Sequence, residues 1–104
     1  MHIALCCAVI AVLNFPGTAN ADNSQGKALV EANCGRCHAT GSVDKSSHPD
    51  APAFRTLSQR YPLDALEEAF AEGISTGHPD MPEFVATPGQ IAAIIDYIGS
   101  LQQP

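Results

Sequence analysis

The chain has 104 residues, and its 11 acidic and 5 basic side chains give a net charge of −6 with histidine neutral. A chain of this length accommodates one small domain. Its acidic balance argues against nucleic acid and anionic membrane surfaces as partners, since both select basic patches. A protein partner with a basic docking face stays open, as does the simpler reading that the charge only keeps the protein soluble.

The N-terminus has the plan of a secretory signal peptide. Residues 3–13 form an unbroken apolar run, which is followed by helix breakers and by Ala19-Asn20-Ala21. This run is shorter than the about 20 apolar residues that a membrane-spanning helix needs. One feature departs from the signal-peptide pattern, because no lysine or arginine precedes the run. We therefore predict a cleaved leader over 1–21, export from the cytoplasm, no stable membrane insertion after cleavage, and a mature domain over 22–104.

A mature chain of 83 residues buries too little apolar surface to be stable on that burial alone, so a bound cofactor is expected. Cys6 and Cys7 would leave with the leader. Only Cys34 and Cys37 then remain, and a single close pair cannot serve as a disulfide framework.

Helical periodicity predicts three main helices and no strand. The first runs from about 23 to 37 with Ser24 as N-cap, and the second runs over 62–72 with Gly73 as its stop. The third opens with Thr87-Pro88-Gly89-Gln90, which is a capping box with proline at the first helical position. Behind it comes an apolar stripe of Ile91, Ile94, Ile95, Ile98 and Leu101.

Two irregular stretches of about 15 residues, 39–53 and 74–87, lie between these helices, with a short helical turn predicted near 54–59. Loops of that length in a small domain are usually functional. We expect them to wrap around a bound group.

The chemistry is carried by Cys34-Gly35-Arg36-Cys37-His38, a CxxCH motif. On a helix its two thiols and its imidazole stand at i, i+3 and i+4 and face the same way. Both sulfurs can then form thioethers to one haem while His38 ligates the iron, and this pentapeptide is the signature of c-type haem attachment.

Two alternatives stay open at this point. A zinc site could be assembled from Cys34, Cys37, His48 and His78, but those histidines lack the usual paired spacing. A thioredoxin-like redox pair would need a strand–helix unit, whereas this motif closes a helix.

The order of elements from the first helix to the last resembles a small monohaem class I cytochrome c of the bacterial periplasm. The resemblance covers nearly all of the mature chain. It implies an all-α fold of three main helices with long loops wrapped around one covalently attached haem c. It also implies that Gly26 lets the terminal helices cross closely beside Tyr97, with Val30 where the family often has an aromatic residue.

The resemblance extends to the residues around the iron. It implies that a proline carbonyl receives the second ring N–H of His38, with Pro52 favoured over Pro49. It implies that Met81 is the sixth ligand, and prolines on either side of Met81 keep that segment out of helix. His78 on the same loop and His48 on the other loop are the rival ligands.

A His38/Met81 pair would raise the reduction potential and leave the iron no vacant position, which favours electron transfer over catalysis. The predicted function is thus a non-enzymatic periplasmic one-electron carrier, monomeric or bound to a redox protein partner. The alternatives are a dedicated haem subunit of a periplasmic dehydrogenase and, from another class, a gas-binding haem sensor. Four residues of the Met81 loop are candidates for a ring around the haem edge: Pro79, Pro82, Phe84 and Val85. The acids of the middle helix are predicted to form a solvated face: Asp64, Glu67, Glu68 and Glu72.

Overall fold

The structure, a computed structural model, describes residues 11–13, 23–74 and 79–103. Over these residues the chain is helical, with α1 at Ser24–Cys34, a 3-10 helix at Phe54–Gln59, α2 at Leu63–Glu72 and α3 at Pro88–Leu101. The extended pairing within them is one isolated antiparallel bridge between Ile74 and Phe84. The predicted all-α class is therefore confirmed.

The predicted leader lies outside the described residues except for 11–13. Within the part of the chain that the structure describes, no helix is both long enough and apolar enough to cross a membrane.

The capping box of α3 is formed as predicted. Thr87 Oγ1 accepts a hydrogen bond from the backbone N–H of Gln90 at 3.2 Å. The Gln90 side-chain oxygen accepts one from the backbone N–H of Thr87 at 3.0 Å. Pro88 follows as the first helical residue, where a missing N–H costs nothing.

Helix α2 starts at Leu63 because Pro62 takes the N-cap position, one residue later than the predicted start. It ends at the predicted glycine. Gly73 has a backbone φ of +86°, a conformation that residues with a Cβ rarely adopt. The four acids of α2 are exposed, as predicted.

Two details of α1 differ from the prediction. Ser24 is the first helical residue, and Asn23 takes the N-cap position. The Asn23 carbonyl accepts a hydrogen bond from the Lys27 N–H at 2.8 Å, and its side chain makes no capping hydrogen bond. The helix also ends at Cys34 instead of 37. The Cys37 N–H bonds to the Cys34 carbonyl at 3.2 Å, an i to i+3 bond that interrupts the regular α-helical ladder, and the Ala39 N–H is bound by Ser46 Oγ at 2.9 Å.

Helices α1 and α3 cross in direct backbone contact at Gly26. A Cβ on Gly26 would overlap the carbonyl oxygen of Ala93 and would lie 2.8 Å from Tyr97 Cβ. The predicted role of Gly26 and its pairing with Tyr97 are confirmed. Val30, one turn further along α1, is fully buried in the same interface.

The core lies between α3 and the elements packed on it. Ile94 and Ile98 are almost completely buried, whereas Ile95 and Leu101 of the predicted stripe are only partly buried at its edge. The buried cluster consists of Val30, Phe54, Leu57, Phe70, Ile91, Ile94, Tyr97 and Ile98.

Tyr97 also connects α3 to the loop that follows the CxxCH motif. Its hydroxyl donates a hydrogen bond of 2.5 Å to the backbone carbonyl of the buried Thr40. Burial raises the pKa of the Tyr97 hydroxyl, and the negative charges of Glu31 and Asp44 raise it further. The folded state thus favours the protonated phenol.

We expect Gly26→Ala to destabilise the fold by about 2–3 kcal/mol, because the added methyl meets a helix backbone that cannot rotate away. Gly89→Ala is the matched control, since nothing lies within 4 Å of its added Cβ, and it should be neutral or stabilise by roughly 0.5–1 kcal/mol. Guanidinium unfolding followed by circular dichroism measures both. Equal midpoints for the two variants would contradict the close crossing.

Tyr97→Phe should cost about 1–3 kcal/mol at neutral pH, because the Thr40 carbonyl loses its partner in a buried place. The pKa of Tyr97 is higher in the folded than in the unfolded state, so the free energy of unfolding of the parent falls as the pH rises above about 10. Tyr97→Phe has no hydroxyl to titrate and should lack that part of the fall. Unfolding midpoints across a pH series test this. Tyr61→Phe, at an exposed tyrosine, should unfold at the parent's midpoint at neutral pH. An unchanged midpoint for Tyr97→Phe would be inconsistent with the hydrogen bond.

Candidate haem-binding site

The CxxCH motif continues the winding of α1 for one turn beyond the helix. The Cys34 carbonyl accepts hydrogen bonds from the backbone N–H groups of Cys37, at 3.2 Å, and His38, at 2.9 Å. The second of these is an i to i+4 bond, so the three side chains keep helical spacing and lie on one side of the turn. Both thiols are free and partly buried.

His38 is held from two sides. Its Nδ1 lies 2.8 Å from the backbone carbonyl oxygen of Pro52, so the residue that meets the imidazole is Pro52 and not Pro49. The Phe54 ring packs on the imidazole with centroids 4.9 Å apart and an interplanar angle of 44°. The Phe54 N–H in turn donates to the Ala39 carbonyl at 2.9 Å, next to His38 in the chain.

The Pro52 contact determines the tautomer of a neutral His38. A carbonyl oxygen only accepts, so Nδ1 must carry the proton. The lone pair of the ring is then on Nε2, which is the state that a metal-ligating histidine needs.

The loop over 39–53 is held in shape by polar side chains. The Asp44 carboxylate accepts from the backbone N–H groups of Thr40, at 3.1 Å, and Gly41, at 2.9 Å. Arg55 reaches the same place, with Nη1 2.6 Å from the Asp44 carbonyl and 3.8 Å from its carboxylate. Ser47 Oγ donates to the Arg36 carbonyl at 2.6 Å and attaches the loop to the CxxCH turn.

Met81 is partly buried on the second loop. The base of this loop is closed by the bridge of Ile74 and Phe84, with N–H to carbonyl distances of 3.1 and 3.4 Å. The Phe84 ring makes an edge contact with Phe70 of α2 at 6.1 Å between centroids. His78, the rival ligand on this loop, lies outside the described residues. Of the four residues predicted to ring the haem edge, Phe84 is partly buried, and the others are exposed: Pro79, Pro82 and Val85.

His48, the other rival, uses both ring nitrogens elsewhere. Its Nδ1 accepts from the backbone N–H of Asp50 at 3.1 Å. Its Nε2 lies 3.1 Å from Asp80 Oδ2, so the first loop contacts the residue just before Met81. Sequence reasoning missed this contact, because no pattern links two loop residues 32 positions apart.

The arrangement does not favour the redox-thiol alternative, and the zinc alternative includes His78, which lies outside the described residues. Among the residues that the structure describes, no three His, Cys, Asp or Glu side chains are grouped so that they could hold a metal. Burial raises the pKa of the Cys34 thiol to about 11. A redox-active cysteine instead has a lowered pKa, because the thiolate is the nucleophile.

The residues present fit a covalently attached haem. Two free thiols and an imidazole with its lone pair on Nε2 lie on one side of one turn. The structure brings Cys34, Cys37, His38 and Pro52 together, and it places Met81 on the loop connected to this group through Asp80 and His48.

Comparison with known proteins identifies a family for this chain. Residues 21–98 match the family model described as cytochrome c oxidase, cbb3-type, subunit III. No curated protein and no solved structure matched the chain. Since the family match spans well over half of the chain, the protein belongs to this family and is a small monohaem cytochrome c of the class I type.

Proposed function

We propose that the protein is a periplasmic one-electron carrier with one covalent haem c, ligated by His38 and Met81. The observation that carries this proposal is the hydrogen bond of 2.8 Å between His38 Nδ1 and the Pro52 carbonyl within a CxxCH turn. Family membership supports haem-based electron transfer in general.

On the proximal side, Cys34 and Cys37 would hold the haem through thioethers and His38 Nε2 would ligate the iron. The Pro52 carbonyl keeps the imidazole in one orientation and makes Nε2 a stronger donor. Phe54 packs on the imidazole and would restrain its tilt. Bound haem supplies an iron that changes between the ferric and ferrous states.

On the distal side, the Met81 thioether would be the sixth ligand. Thioether sulfur favours the ferrous state and so raises the reduction potential. With His38 and Met81 both supplying ligands, the iron would have no vacant position, so the proposed function is electron transfer to a redox partner and not catalysis on a substrate. A leader over 1–21 would direct the chain to the compartment where haem is attached.

A second candidate is a haem subunit that stays bound to a larger redox enzyme. It is favoured by the description of the matched family, which names a subunit of an oxidase complex. The dedicated dehydrogenase subunit expected from the sequence is a proposal of the same kind. Both candidates use the same haem and the same ligands, and they differ only in how long the partner stays bound.

We expect the Cys34→Ala/Cys37→Ala double variant to lose covalent haem completely, because both thioether positions are gone. Haem staining of a denaturing gel and extraction with acidified acetone measure this. Met81→Ala is the control and should keep its haem on the gel, since that side chain forms no thioether. A parent that retains zinc and shows no Soret absorbance would overturn the proposal.

We expect ferric Met81→Ala to lose the weak far-red band of sulfur ligation. Its midpoint potential should fall by roughly 0.1–0.3 V, a fraction of the span of about 0.8 V that axial ligands cover. Optical spectra and a redox titration measure both quantities. Glu83→Ala, at an exposed residue of the same loop, should keep the parent's band and potential. Tight carbon monoxide binding by the unmodified parent would instead favour the gas-sensor alternative.

A further inference from the structure

The first loop and the Met81 loop are joined by a side-chain contact that the proposed function does not require. His48 Nε2 and Asp80 Oδ2 are 3.1 Å apart, and Asp80 directly precedes Met81 in the chain. The His48 side chain is 25% exposed and that of Asp80 is 64% exposed, so the histidine is the anchored partner and the acid is the one on the outside.

His48 is anchored on the CxxCH turn itself. Its backbone N–H donates to the Cys37 carbonyl at 3.1 Å, and its own carbonyl accepts from Ala51 at 3.2 Å. Its neighbour Ser47 donates to the Arg36 carbonyl at 2.6 Å. The ring of His48 therefore has a defined position relative to the residues that attach the haem.

The ring is also oriented for donation to Asp80. The backbone N–H of Asp50 only donates, so Nδ1 of His48 must accept and a neutral ring carries its proton on Nε2. That N–H faces the Asp80 carboxylate. A fixed donor on the attachment side thus binds the carboxylate of the residue that directly precedes Met81.

We propose that His48 is a positioning residue for Met81: through Asp80 it holds the distal loop on the haem and slows the opening that would release the sulfur. This inference rests on the proposed ligation by Met81. Since Asp80 is largely exposed, the contact contributes a factor of about ten or less to the closed population of the loop.

The test measures how often the sixth position opens in the haem-loaded ferric protein, with imidazole as the entering ligand. His48→Leu and Asp80→Ala should each increase the rate of imidazole binding roughly three- to tenfold and weaken the far-red band. In the His48→Leu/Asp80→Ala double variant the effects should not add, because either change alone breaks the contact.

Two further variants separate positioning from general stability. His48→Gln keeps an N–H donor on a side chain of similar reach and should restore much of the slow binding. Glu83→Ala removes an acid from the same loop outside this contact and should bind imidazole at the parent's rate. Thermal unfolding of each variant shows whether any change in rate only follows a loss of global stability.

The outcomes distinguish the two proposals. A parent without the far-red band, or a Met81→Ala variant that keeps it, overturns Met81 ligation. A parent with the band, together with His48→Leu and Asp80→Ala rates equal to that of Glu83→Ala, overturns the positioning role alone. Additive effects in the double variant, or rates that track the unfolding temperature in every variant, also overturn it.

Discussion

The close crossing of α1 and α3 at Gly26 is the contact on which the rest of the site depends. It lets Tyr97 lie against α1 and still reach forward to the Thr40 carbonyl. Since α1 runs directly into the CxxCH turn and Thr40 lies two residues after His38, the crossing positions the turn from both ends. One glycine therefore determines where the thiols and the imidazole stand relative to the core.

The parts of the fold that could be predicted are those whose cause is local in sequence. The capping box of Thr87 and Gln90, the stop at Gly73 and the spacing of CxxCH each lie within a few residues, and the structure contains all three. The prediction was wrong at the end of α1, where an i to i+3 bond of the Cys37 N–H interrupts the helix and Ser46 then binds the Ala39 N–H. Such a competitor, several residues downstream in a loop, has no periodic signature.

The candidate site divides in the same way. The pairing of His38 with a proline carbonyl was expected only from the family resemblance, because a backbone carbonyl can come from any residue that the loop brings near. The His48–Asp80 contact had neither a local pattern nor a family pattern behind it, and it appears only once both loops have a shape. Loop conformation, set here by Asp44, Arg55 and Ser47, is what sequence periodicity does not encode.

The two described histidines show how hydrogen bonding gives the same side chain opposite tasks. At His38 a carbonyl acceptor puts the proton on Nδ1 and the lone pair on Nε2, so the ring can ligate iron. At His48 a backbone N–H donor requires the lone pair on Nδ1, so Nε2 becomes the donor to Asp80. Met81 is then carried by a loop held at its base by Ile74 and Phe84 and, one residue before Met81, by Asp80. The proposed ligation by Met81 would gain from these attachments, because a weak iron–thioether bond is lost more readily where the backbone that carries the sulfur moves.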